Sequence, residues 1–409
     1  MTGKRLVIRI FKGFTALAIL GALGVGILLG SLWLEHTSET TLPIPTGPFA
    51  VGRTTDVWVD SVQVDKLTSH PGIKRELVTW IWYPSAAERT TGAIADYLPA
   101  PWRTAIERER GMLISKFLTR DLSLVHTHCT LDSEMSPQQR AYPVVIMRAG
   151  LAALTVEYSI LAEDLASHGY VVVGFDAPYR TAVVVFPDGR IITRAPENNP
   201  ETVAGPEQDN LINKLLSSWC TDMGFVLDHL KQLNASDPNG RFTGRLDMKR
   251  VGVFGHSLGG ATAAQFCHDD PRCKAGIDVD GAPYGSVIHD GLHQPFMFLL
   301  SDHSDTSDAD GRQIDANIRS IYSRLPPVGR LRIAIRGANH FNFSDGALLK
   351  SQIVQWMLRK LGLFGIDGSR QLAVTAHCIR NFFEVYLKES SGLEPNIQSS
   401  LYPEIELLK

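Results

Sequence analysis

Cysteine is scarce in this chain, five among 409 residues, too few for a scaffold held together by disulfides. Cys129, Cys220, Cys267, Cys273 and Cys378 include no CxxC pair, so a structural zinc site lacks its ligand pattern. A bridge between the neighbouring Cys267 and Cys273 stays open, because spacing alone does not set its geometry. A positive excess is also missing: 40 Lys and Arg face 43 Asp and Glu, for a net charge of -3. No basic field draws such a chain to nucleic acid, and none is expected as a partner. Internal repeats are absent, and 44% hydrophobic against 20% charged residues makes a folded core the default.

What the chain does have is one long apolar run. Lys4, Arg5, Arg9 and Lys12 precede a charge-free stretch from Phe14 to Leu34, close to the ~20 residues a helix needs to span a bilayer. The charge order points the basic residues 1–13 inward. Segment 14–34 is therefore expected to be a transmembrane anchor with the globular body outside the cytoplasm. Cleavage as a signal peptide, leaving a secreted protein, is the alternative, although no small-x-small site directly follows the apolar core. Pro43, Pro45, Gly47 and Pro48 mark 35–50 as a linker. Residues 51–390 read as one globular domain and 391–409 as a tail.

Within that domain the hydrophobic pattern switches between periods of two and of 3.6. Strands are expected at Val57–Val64, at Leu77–Trp82 before Pro84, at Pro143–Met147, Tyr170–Phe175, Arg250–Phe254, Gly276–Asp280, Pro295–Leu300 and Leu331–Arg336. Helices are expected at Glu157–His168, Leu211–Leu233, Gly260–His268 and Gly346–Leu361. The alternation predicts an α/β fold with a mainly parallel central sheet flanked by helices. Segment 97–128 is set apart. A helix from Pro101 would carry Trp102, Ile106, Met112, Leu113, Phe117 and Leu118 on one face, either as a lid or as an ordinary helix sealing the sheet.

The sharpest motif is Gly255-His256-Ser257-Leu258-Gly259, directly after a strand and before a helix. Small flanking residues permit the tight turn that exposes a serine hydroxyl near helix-start amides, the nucleophile elbow of an α/β-hydrolase fold. A serine needs a base, and the base a carboxylate to orient it. In this architecture the chain order is Ser, acid, His. His340 follows the last expected strand, whereas His289, His293 and His303 precede it. Asp278 reads as a sheet-end residue. Asp280 and Asp302 divide the acid role evenly on architecture alone.

Gly255 to Thr262, the run Gly276-Ile277-Asp278-Val279-Asp280, and Arg336 to Phe343 together resemble the secreted platelet-activating-factor acetylhydrolase family. Trp82 to Ser85, Tyr142 to Gly169 and the stretch up to about Leu387 extend the similarity over most of the body. The resemblance implies a triad of Ser257, Asp280 and His340. It also implies charge-stabilising main-chain amides at Leu151 and Leu258, and hydrolysis of short or oxidised acyl chains at the second glycerol position of phospholipids. In one place the chain departs: Ala149-Gly150-Leu151-Ala152, preceded by Arg148, stands where the family has a His-Gly-Leu-Gly-like loop.

Ester or phospholipid substrates and a membrane contact through the N-terminal segment are the partners expected, with no cofactor and no metal. A broad esterase or lipase, an acyltransferase, and a tethered noncatalytic binding protein are the competing readings. Asp302, His303, Asp305, Asp308 and Asp310 collect potential metal ligands, but without an EF-hand pattern a polar loop explains them better. Asn234 and Asn342 open N-glycosylation triplets.

Overall fold

The computed structural model describes residues 2–86, 93–302, 309–388 and 397–408. Along the chain, helix α1 (Thr2–His36) leads to strands β1 (Thr40–Thr41), β2 (Ala50–Val64), β3 (Lys74–Ser85) and β4 (Ile94–Asp96). Helix α2 (Ala100–Arg110), β5 (Val125–Leu131), β6 (Tyr142–Arg148), α3 (Ser159–Ser167) and β7 (Val171–Asp176) follow. A small hairpin, β8 (Val183–Val185) with β9 (Ile191–Thr193), precedes α4 (Pro206–Ala235) and β10 (Leu246–His256). Then come α5 (Leu258–Asp269), β11 (Cys273–Val279), α6 (Val287–Asp290), β12 (Phe296–Leu300), α7 (Ala309–Arg324) and β13 (Arg330–Ile335). Helices α8 (Gly346–Leu349), α9 (Gln352–Lys360) and α10 (Gly368–Tyr386) and strand β14 (Ile405–Leu407) close the described fold.

One sheet takes the order β1-β5-β2-β3-β7-β6-β10-β11-β12-β13-β14, with β4 beside β5. From β7 to β13 the strands run parallel, while β2 with β3, β3 with β7, and β13 with β14 are antiparallel. The sheet is thus mixed and mostly parallel, as expected. Its central strands are buried on both faces, which is why they read as unbroken apolar runs. Val145, Met147, Ile277 and Leu299 face one core with α3 and α10. Val144, Ile146, Val253 and Phe298 face the other, with α4, α5 and α7. Each such side chain, fully buried, contributes roughly 1.5–3 kcal/mol.

Four expectations need correction. The strand expected to stop before Pro84 continues to Ser85, with Pro84 opposite Val51; its missing N–H is tolerable at the end of a strand. The lid helix is not continuous: Gly111 at φ 78 ends α2, and a π-helical turn occupies Ile114–Leu118. Trp102 and Ile106 are buried, but Met112 and Leu113 are 78% and 64% exposed, off the expected apolar face. The helix expected over 346–361 splits because Lys350 is extended and bridges to Thr119. Finally, the stretch expected as a tail supplies β14, so Ile405 and Leu407 pair with Ile335 and Ile333.

Cys267, at the end of α5, is joined to Cys273 at the start of β11 by a disulfide with a Cα separation of 5.1 Å. Of the residues weighed for metal, His303, Asp305 and Asp308 lie outside the described residues, while Asp302 accepts from the Gly337 amide and Asp310 lies in the first turn of α7. Of the two glycosylation triplets, Asn342 is 1% exposed and Asn234 spends its carbonyl on the Leu246 amide.

Candidate active site

Strand β10 ends at His256 and α5 begins at Leu258, so Ser257 alone makes the turn, at φ 58 and ψ -127. A non-glycine residue there carries about 1–3 kcal/mol of strain, which the surroundings sustain. The main-chain N–H of Ser257 donates to Val279, and its carbonyl accepts from Gly260 and Ala261. The flanking glycines are needed for space: a Cβ on Gly255 would lie 2.2 Å from the Gly259 carbonyl oxygen, and one on Gly259 would lie 2.3 Å from that of Arg148.

His340 reaches this serine from the loop after β13. Its Nε2 stands 3.1 Å from Ser257 Oγ and its Nδ1 stands 2.7 Å from Asp280 Oδ2. The Asp280 side chain is fully shielded, whereas the His340 side chain keeps 38% of its exposure. Asp280 follows β11 in a left-handed conformation, φ 55, and Ser301 donates to it from both its N–H (2.7 Å) and its hydroxyl. The other carboxylates that the sequence offered go elsewhere. Asp302 Oδ2 accepts from the Gly337 amide at 2.8 Å. Asp278 is buried, accepts from the Gly281 amide at 2.8 Å, and is pushed up to about 8 by desolvation.

Leu151 lies in the loop after β6 and Leu258 at the start of α5, and neither main-chain N–H has an acceptor among the described residues. Their side chains pack with Leu67, Leu215, Leu216 and Trp219, which leaves the amides as the polar groups they offer. Under the loop, Arg148 is fully buried. Its Nη1 donates to the Phe175 carbonyl at 3.1 Å, and its guanidinium lies 3.9 Å from the Trp219 ring centroid, a cation–π contact. Desolvation lowers it to about 10, so it stays charged at neutral pH. Ala149 is buried in the core. Support for the loop comes instead from Tyr158, whose hydroxyl oxygen accepts from the Gly150 amide at 3.2 Å.

A cavity of about 570 Å³ opens on Ser257 and His340. Its wall is largely apolar, with Leu98, Ile114, Leu118, Leu154, Val156 and Leu349 among the lining residues. Two cations, Arg110 and Lys350, and two anions, Glu157 and Glu201, interrupt it; Arg110 is paired with Glu157. Such a space suits an uncharged chain with a polar end. Among the described residues no group of three or more potential ligands is placed to hold a metal ion.

Sequence reasoning missed four residues that fasten this arrangement: Tyr158, His256, Ser301 and Gln371. Gln371, buried in α10, accepts from the Asn339 amide and donates to the Asn339 carbonyl, gripping the loop beside His340. Only His256 had a local signal, its place inside the serine motif.

Residues 34–201 and 221–398 match the family model described as platelet-activating factor acetylhydrolase, isoform II. The chain is 26% identical over 407 residues to the platelet-activating factor acetylhydrolase of Cavia porcellus, covering 91% of this chain and 85% of that one. To the same-named protein of Canis lupus familiaris it is 24% identical over 346 residues, covering 79% and 72%. Among solved structures, a ferulic acid esterase from Streptomyces cinnamoneus superimposes with a TM-score of 0.71 at 25% identity, over 91% of this chain and 100% of that one. With the elbow, the mixed sheet and these matches together, the chain belongs to the platelet-activating factor acetylhydrolase isoform II family, among the esterases of the α/β-hydrolase superfamily.

Proposed function

We propose that Ser257 cleaves carboxylic esters through an acyl-serine intermediate, with short or oxidised acyl chains at the second glycerol position of phospholipids as substrates. The observation that carries this reading is the continuous hydrogen-bonded path from Ser257 Oγ through both nitrogens of His340 to Asp280. His340 Nε2 accepts the serine proton as Oγ attacks the ester carbonyl, and Asp280 holds the imidazole in the tautomer that leaves Nε2 free. The Leu151 and Leu258 amides take the negative charge that develops on the carbonyl oxygen. His340 returns its proton to the departing alcohol; water then gives a proton to the same nitrogen and its oxygen to the acyl carbon, which releases the acid and restores Ser257.

In the same reading α1 holds the hydrolase domain, 51–390, against a membrane from the extracytoplasmic side. Supporting it, α1 contains a stretch from Phe11 to His36 long and apolar enough to span, and its side chains up to Gly30 stand free of the body, Phe14 at 70% and Leu20 at 64% exposure. A secreted form after cleavage is the alternative.

The test is initial hydrolysis of matched phospholipids carrying acetyl or long acyl groups at the second position, with a folded Ser257→Ala protein as control. Serine-dependent preference for acetyl is the expected result. Efficient long-chain cleavage would make the protein a broader lipase, and turnover of neither would remove the phospholipid assignment.

A further inference from the structure

His256 lies inside the serine motif, yet its ring nitrogens bond elsewhere than the serine. Its ring is buried, 8% exposed as a residue, and packs between Tyr158, His340 and Phe343, with ring centroids at 5.8, 4.6 and 5.7 Å. Both nitrogens are used. Nε2 is 2.9 Å from the main-chain oxygen of His340, and Nδ1 is 2.8 Å from the Tyr158 hydroxyl. A carbonyl oxygen only accepts, so Nε2 must carry the hydrogen; in a neutral ring Nδ1 is then the acceptor. The Tyr158 hydroxyl donates to Nδ1, and its oxygen accepts from the Gly150 N–H at 3.2 Å. Every donor in this chain meets an acceptor in one direction only.

We infer that His256 is a positioning residue for the hydrolytic reaction, a brace whose Nε2–H fixes the main chain of His340 while Nδ1, through Tyr158, fixes the loop carrying the Leu151 amide. The inference rests on the Ser257 esterase reading above. The brace joins two parts that lie on different segments: the base, on the loop after β13, and the proposed charge-stabilising loop, after β6. Asp280 sets the His340 ring at Nδ1, and His256 sets the backbone from which that ring hangs. Burial, and secondarily the nearby His340 charge, push His256 down to about 3. The brace therefore remains neutral and adds no second positive ring beside the imidazolium that forms at His340.

Two amides separate the two halves. In His256→Gln the side-chain amide reaches the Nε2 position and can donate to the His340 carbonyl. In His256→Asn it reaches only the Nδ1 position, so Tyr158 keeps a partner and His340 loses one. Since a displacement of about 1 Å can cost on the order of 100-fold in rate, His256→Asn should lower kcat roughly 10- to 100-fold with KM within about threefold, and His256→Gln should recover most of it. Tyr158→Phe should slow phosphonylation of Ser257 by a small organophosphonate, read by mass spectrometry on protein of unchanged circular dichroism, even where an amide variant folds poorly. Equal kcat in the two folded amide variants, high or low, would overturn the brace, as would unchanged phosphonylation in Tyr158→Phe. Failure of the underlying reading looks different: the unaltered protein would then resist both ester and phosphonate at Ser257.

Discussion

Asp278 and Asp280 are separated by one residue at the end of β11 but meet opposite surroundings. Asp280 receives three donors from Ser301 and His340, whereas Asp278 has one oxygen without a partner among the described residues and is pushed up to about 8. Burial dominates that shift, the Asp280 charge adds to it, and the Gly281 amide opposes it. In the unfolded chain the same carboxyl titrates near 3.9. A raised folded value means the protonated group favours folding, fully below the unfolded value and progressively less as pH climbs through about 8. The unfolding free energy should therefore fall over that window, and Asp278→Asn should lack this fall while keeping activity. Asp280→Asn should reverse the pattern, with kcat reduced on the order of 10³- to 10⁴-fold in a protein of near-normal stability. Urea titrations across pH beside ester kinetics read both; an inactive Asp278→Asn with an active Asp280→Asn would sink the assignment. That Ser257 and His340 would be brought together was legible from motif and chain order. The choice between Asp280 and Asp302 was not legible from architecture, because both follow strand ends, and only the family resemblance pointed to Asp280; in the fold the left-handed Asp280, held by Ser301 just after β12, is the carboxylate that meets the imidazole.

At the scale of elements, period and composition located the central strands because burial on both faces leaves an apolar signature in each. They failed where a distant segment overrides local preference. Nothing near Lys350 announces that Thr119 will bridge to it, and an edge strand of three residues is too short for a period to be read. That strand, β14, matters out of proportion to its length. Ile405 is 8% exposed, the Arg336 amide donates to the Glu404 carbonyl, and Arg370 of α10 pairs with the Glu404 carboxylate. Together these fasten the edge next to the loop that presents His340. Ending the chain at Lys388 should cost on the order of 5 kcal/mol, from the buried Ile397 and Ile405 and several hydrogen bonds. The expected observation is a lower melting temperature and a greater tendency to aggregate through the uncovered β13 edge, with Ser257 still phosphonylated at low temperature. An unchanged melt would show that the strand contributes nothing.

For the whole molecule, the decisive junction is the one between α1 and the body. Leu32 is buried, the Trp33 and Phe117 rings lie 6.2 Å apart at a tilt of 51°, and His36 donates from Nδ1 to the Thr119 carbonyl at 2.8 Å. Glu35 accepts from the Ser351 hydroxyl and the Gln352 amide at the start of α9, and pairs with Arg120 at 3.4 Å. A carboxylate at a helix N-terminus is favoured by the helix dipole. The last turn of α1 is thus part of the body, and Thr119 and Lys350, next to its contacts, also line the cavity. A membrane holding the exposed part of α1 would bring the cavity mouth to a fixed distance from lipid. A chain beginning at Ser31 keeps these contacts and loses the exposed span. It should leave the alkaline-carbonate-resistant membrane fraction, hydrolyse a water-soluble acetate ester as fast as the full chain, and act more slowly on acetyl phospholipid embedded in vesicles. Equal loss on both substrates would instead mean that residues 2–30 support the fold, and a full chain that carbonate strips from the membrane would remove the anchor from the account.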